Sequence, residues 1–114
     1  MARLTDSNLL TLFQEALSEW RADGFVVWKR LPADWLRKEL EGQTQKSIAK
    51  LLHEHLKAGR EIDQVRERRE RYRDRYEFHF DFRLTIDERR VYIETVLDES
   101  RTGPTITIVN MHDE

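Results

Sequence analysis

Tyr76 to Ile86 reads YEFHFDFRLTI, with Tyr76, Phe78, Phe80, Phe82, Leu84 and Ile86 alternating with Glu77, His79, Asp81, Arg83 and Thr85. Strict alternation of apolar and polar residues is the signature of a half-buried β-strand, because successive side chains leave opposite faces. One face supplies aromatic and aliphatic core. The other lines up two carboxylates, an imidazole and a guanidinium.

Two further strands follow from this one. Asp87 to Arg90 reads as a tight turn, Val91 to Leu97 as the second strand, Asp98 to Pro104 as a polar loop and Thr105 to Met111 as the third. If Glu88 and Arg89 form a two-residue hairpin loop, Ile86 faces Val91, Leu84 faces Ile93, Phe82 faces Thr95 and Phe80 faces Leu97. Arg83 then meets Glu94 and Thr85 meets Tyr92 on the polar face. A slip of one residue would bury charge. The third strand has Ile108 next to Val109, so its alternation assigns no register.

The first half of the chain reads as helical. Asp6 to Ala22 carries Leu9, Leu10, Phe13, Ala16, Leu17 and Trp20 at helical spacing, with Asp6 or Ser7 as N-cap and Gly24 as stop. Phe25 to Trp28 is a short β-rich run suited to an edge strand. Pro32 precedes a helix over Asp34 to Leu40, and Thr44 to Ala58 forms a third that ends at Gly59. Trp20, Trp28 and Trp35 read as packing residues. Glu61 to Arg75 is open to three readings: a short strand, a charged helical turn or a loop. Helices first and strands after, without alternation, give the α+β class. The expectation is one domain over residues 1–114, with about three N-terminal helices packed on a C-terminal antiparallel sheet of three or four strands.

Composition narrows the chemistry. The chain has 114 residues, 37% of them charged, a formal net charge of −2 and no cysteine. Its apolar residues are periodic, which argues for a folded domain. Without cysteine there is no disulfide, thiolate nucleophile or Cys-based zinc site. The absence of a long apolar run near Met1 leads to the expectation of a cytoplasmic protein with no membrane partner. The whole-molecule charge gives no pull toward nucleic acid, so local clusters must supply one.

Two clusters carry candidate chemistry. On the polar face, RNA cleavage without a metal needs a base for the 2′-hydroxyl, an acid for the leaving oxygen and a cation for the phosphorane. Glu94, His79 and Arg83 match those roles in that order, with Asp81 orienting His79 or its neighbour and Tyr92 bordering the site. The bland alternative is a solvated face with an Arg83–Glu94 pair. His79, Asp81, Glu94 and His112 can also be assembled into a metal set, although no dense ligand motif supports it, and no cofactor is expected. His53 and His55 point to different sides of their helix, with His55 beside the core. The second cluster spans Arg66 to Arg75, where six arginines face three acids. Arg66, Arg69, Arg71 and Arg73 could grip RNA phosphates. The same patch suits a charged surface helix or an acidic protein partner such as an antitoxin.

IDQVRERR (62–69), FHFDFR (78–83), VYIET (91–95) and IVNMHD (108–113) together resemble a group of small bacterial proteins of cyanobacterial type that has no assigned activity. The order of helices and strands is also similar to that of small RNases and toxins of the RelE and barnase-like kind. That architectural likeness implies a toxin-like endoribonuclease acting from the polar face of the sheet. The rival expectation is a non-enzymatic module, docking a protein partner or a second copy through the sheet, with Thr105 to Met111 or Phe25 to Trp28 as the exposed edge.

Overall fold

The computed structural model describes residues 2–18, 25–100 and 102–114. Ten elements follow in order: β1 (Ala2–Arg3), α1 (Ser7–Leu17), β2 (Val26–Trp28), α2 (Arg30–Glu39), α3 (Gln45–Lys57), β3 (Ile62–Arg66), α4 (Glu70–Arg73), β4 (Phe78–Ile86), β5 (Arg89–Ser100) and β6 (Gly103–Asp113). The class is α+β. The sheet has six strands in the order β1-β3-β4-β5-β6-β2, which corrects the expected three or four. It is also mixed, because β2 runs parallel to β6 while the other neighbours are antiparallel.

The helix starts follow their caps. The N–H groups of Asn8 and Leu9 donate to Asp6 Oδ1, at 2.8 and 3.1 Å, satisfying donors that have no partner inside the helix. Thr44 and Ser47 bond each other's backbone N–H in a reciprocal capping box at the start of α3. Gly59, at φ +71°, turns the chain out of α3 in a conformation that glycine adopts without strain. Helix α1 stops at Leu17, where Ser18 takes an extended backbone, short of the expected end at Ala22. Trp20, Ala22 and Gly24 lie outside the described residues. Helix α2 begins at Arg30, earlier than Asp34, and holds Pro32 in its first turn, where a missing N–H costs no helical bond.

One face of the sheet meets the helices. Phe13, Ala16 and Leu17 of α1, Leu36 of α2, and Ile48, Leu52 and Leu56 of α3 form one core with Phe80, Phe82, Leu84, Ile86, Val91, Ile93, Ile106, Ile108 and Met111. Phe13 lies edge-on to Phe80 at 5.1 Å, an arrangement the ring quadrupoles favour. His55 is buried beside this core and its Nε2 lies 2.7 Å from the Glu61 carbonyl. No helix among the described residues is long and apolar enough to cross a membrane.

Two departures concern the strands that carry the site. The β4–β5 turn is Asp87-Glu88, not Glu88-Arg89, so the register moves by two residues: Leu84 pairs with Val91, Phe82 with Ile93 and Phe80 with Thr95. An even shift keeps every side chain on its own face, which is why the hydrophobic pattern could not tell the two apart. Strand β6 lies between β5 and β2, so Ile106 to Ile108, the middle of the expected edge, are paired on both sides. Phe25 to Trp28 contributes the edge strand β2. Ile108 pairs with Thr95 and Asn110 with Glu94, leaving Val109 as an extra residue. This bulge explains the adjacent apolar pair, because it switches the phase of the alternation partway along the strand.

Candidate functional site

The sheet face away from the helices is built in rows of paired residues. Asp63, Asp81, Glu94 and Asn110 are matched across β3, β4, β5 and β6, and Arg83, Tyr92 and His112 form the next row. His79 pairs with Val65 one row to the other side. His112 joins this face because of the bulge at Val109: Ile106 and Ile108 point to the core before it, and Met111 after it.

The first part of the site is acidic and closed. Asp81, Glu94 and Glu67 are 3%, 4% and 4% exposed. Arg69 follows β3 and reaches onto this face. Its Nε and Nη2 donate to the two oxygens of Glu67 at 2.9 and 2.8 Å, and Nη2 also donates to Glu94. The guanidinium holds the Glu67 carboxyl below its ordinary range, chiefly through this hydrogen bond. The carboxylates in turn hold the Arg69 charge firmly in place. His79 Nδ1 lies 2.7 Å from Asp81 Oδ1. A carboxylate only accepts, so the neutral ring carries its proton on Nδ1 and keeps the Nε2 lone pair. Burial pushes the Asp81 carboxyl above its usual range, against the pull of His79. Two carboxylates share one guanidinium here, and the third, Asp81, faces His79.

The second part is more open, and its guanidiniums are paired with carboxylates. The Tyr92 and His112 rings stack with centroids 4.7 Å apart, and Arg83 Cζ lies 5.1 Å from the Tyr92 centroid. His112 Nδ1 lies 2.8 Å from the Asp113 carbonyl and donates to it, which leaves Nε2 as the ring's other proton site. Arg83 bonds Asp63 and sits 3.2 Å from Glu114, and Arg90 bonds the same Glu114 at 3.1 Å. Tyr92 joins the two parts. Its hydroxyl donates to Glu94 Oε1 at 3.3 Å, and burial, together with the Asp81 and Glu94 charges, pushes its own ionisation far up.

The sequence-derived residues are therefore divided. His79, Asp81, Glu94, Tyr92 and Arg69 come together. Arg83 borders Tyr92, and the expected Arg83–Glu94 pair is not formed, because the two-residue register shift sets Arg83 opposite Tyr92. The arginines of the run have different partners. Arg66 pairs with Glu77 at 3.4 Å, Arg71 lies over Tyr72, and Arg73 is exposed on α4. The segment is both a strand (β3) and a short helical turn (α4), two of its three sequence readings. The metal set drawn from His79, Asp81, Glu94 and His112 is not assembled as such: Asp81 holds His79, and His112 belongs to the Tyr92 row. Glu67 takes the vacant role. Its ligand atom and those of His79 and Glu94 all lie within 4.8 Å of one another. Glu67 was legible in principle, since Asp63, Val65 and Glu67 continue one alternation through β3 and past its end. No family model, curated protein or solved structure matches the chain.

Proposed function

We propose that the protein is a small endoribonuclease that cleaves RNA from the polar face of its sheet without a metal. The observation that carries this reading is the grouping of Glu94, Arg83 and His112 around Tyr92. Diagonal neighbours on adjacent strands lie roughly 7–8 Å apart, a separation that suits groups flanking one phosphate. Glu94 accepts the proton of the 2′-hydroxyl as that oxygen bonds to phosphorus. The bond from phosphorus to the 5′ oxygen breaks, and protonated His112 gives its Nε2 proton to the leaving oxygen. Arg83 and neighbouring Arg90 stabilise the charge on the phosphorane. His79 was the acid expected from sequence. It lies four residues along β4 from Arg83, so the acid's role passes to His112, which is exposed and stacked on Tyr92 in the row that holds Arg83.

The test is cleavage of end-labelled RNA by purified protein in excess EDTA. His112→Ala and Arg83→Ala should each lower the rate by about 10²-fold or more, the usual contribution of a positioned acid or base. His79→Ala should retain most of it. RNA binding should weaken steeply with salt, as counterions return to the phosphates. A folded wild type that cleaves nothing overturns the reading and favours the docking module, with β2 as its free edge.

A further inference from the structure

The closed end of the polar face has a composition that the proposed reaction does not use in full. Glu67 and His79 take no part in it, yet Glu67 is buried to the same degree as Glu94. Surface carboxylates cluster freely because water screens them, whereas buried ones need a counter-charge. Here that counter-charge is a single guanidinium bonded to both glutamates at once. We infer that Glu67, His79 and Glu94 form a site for a divalent transition cation of the zinc class, which Arg69 closes when the cation is absent.

Three features support this. The donors are one imidazole nitrogen and two carboxylates, a hard-to-borderline set that zinc-class ions accept in three-ligand sites. The donor atoms already lie within 4.8 Å of one another, and side-chain rotation that closes each gap by up to about 1.4 Å would bring them to the roughly 3.4 Å separation of tetrahedral ligands set by bonds of about 2.1 Å. Asp81, itself buried, fixes His79 through Nδ1 at 2.7 Å, the arrangement by which an outer carboxylate orients a metal-bound imidazole and raises its basicity. Arg69 is the movable part. Its side chain is 36% exposed and enters from the β3–β4 connection, so it can swing to solvent while the cation takes over both carboxylates. The site shares Glu94 with the proposed ribonuclease chemistry but does not rest on it, because binding is read directly.

The experiment is titration of untagged protein with Co²⁺, followed by its visible absorption and by displacement with Zn²⁺. Wild type, Arg69→Met, Glu67→Gln and His79→Ala would be compared, each checked for folding by circular dichroism. One Co²⁺ should bind per chain and be displaced by Zn²⁺. Arg69→Met should bind at least tenfold more tightly than wild type, since the competing cation is gone. Glu67→Gln and His79→Ala should weaken binding by about 10²-fold. If Arg69→Met does not fold, Arg69→Gln serves in its place. Absence of a Co²⁺ band in both the wild type and the folded Arg69 variant overturns the inference. So does a band that persists undiminished in Glu67→Gln and His79→Ala, because the ion would then sit elsewhere.

Discussion

Asp87 and Glu88 turn β4 into β5 with φ of +50° and +67°, the left-handed region that two-residue hairpins require. Aspartate tolerates it, since its short side chain can bond locally, and Asp87 also accepts from Gln43 Nε2 at 3.2 Å. Glutamate has no such compensation, and its Cβ crowds the following carbonyl. Glu88→Gly should therefore stabilise the protein by about 0.5–1 kcal/mol, the relief of strain exceeding the entropy that glycine loses on folding. Urea unfolding would show it as a higher midpoint at unchanged slope. No change, or a loss, would mean that the turn carries no strain at this position. Without glycine or asparagine here, the sequence holds no local mark of the turn, and the apolar pattern alone fits a loop placed one residue late.

At the scale of elements, the legible parts were those dictated by period and cap. The strand over Phe78–Ile86, the Asp6 cap and the short β2 edge are local properties, and each is present. The rest depended on non-local partners. Residues 62–66 are a strand with β4 and β1 flanking them, whereas their own sequence, with Ile62 and Val65 as its apolar residues, is too short to fix a period. His112 reaches the polar face only through a bulge whose position is fixed by pairing with β5. The site was half readable for the same reason: His79, Asp81 and Glu94 lie on strands, while Glu67 follows the end of β3 and arrives, with Arg69, from an irregular connection. That connection should contribute measurably to stability. Arg69→Met leaves Glu67 and Glu94 buried without their guanidinium. The expected cost is about 1–2 kcal/mol, below the usual range for buried pairs because the arginine is partly solvated and screened. Urea unfolding in EDTA measures it. A variant as stable as wild type would show that water replaces the arginine without penalty.

Across the whole molecule, the middle of the chain is tied back to the sheet at two places, and the second is sensitive to pH. Beyond Arg69, the connection ends at Tyr76, whose hydroxyl donates to Asp98 of β5 at 2.7 Å, with Arg75 at 3.1 Å from the same carboxylate. Burial first, and then the bond to Asp98, pushes the Tyr76 phenol from 10.0 up to about 12. A group whose ionisation is raised on folding lends stability that is fully present below its unfolded value and lost as pH rises through the folded one. The Tyr76 contribution should therefore be intact below pH 10.0 and disappear toward about pH 12. Tyr92 ionises still higher and adds its own alkaline loss in every variant, so the comparison must be with Tyr76→Phe, which keeps the ring and removes only the titrating hydroxyl. Wild-type stability should fall more steeply than that of Tyr76→Phe between these two pH values, while the two run parallel between pH 7 and 9. Parallel curves across the alkaline range would mean that the Asp98 contact does not hold the connection in place, leaving Arg69 as its anchor on the polar face.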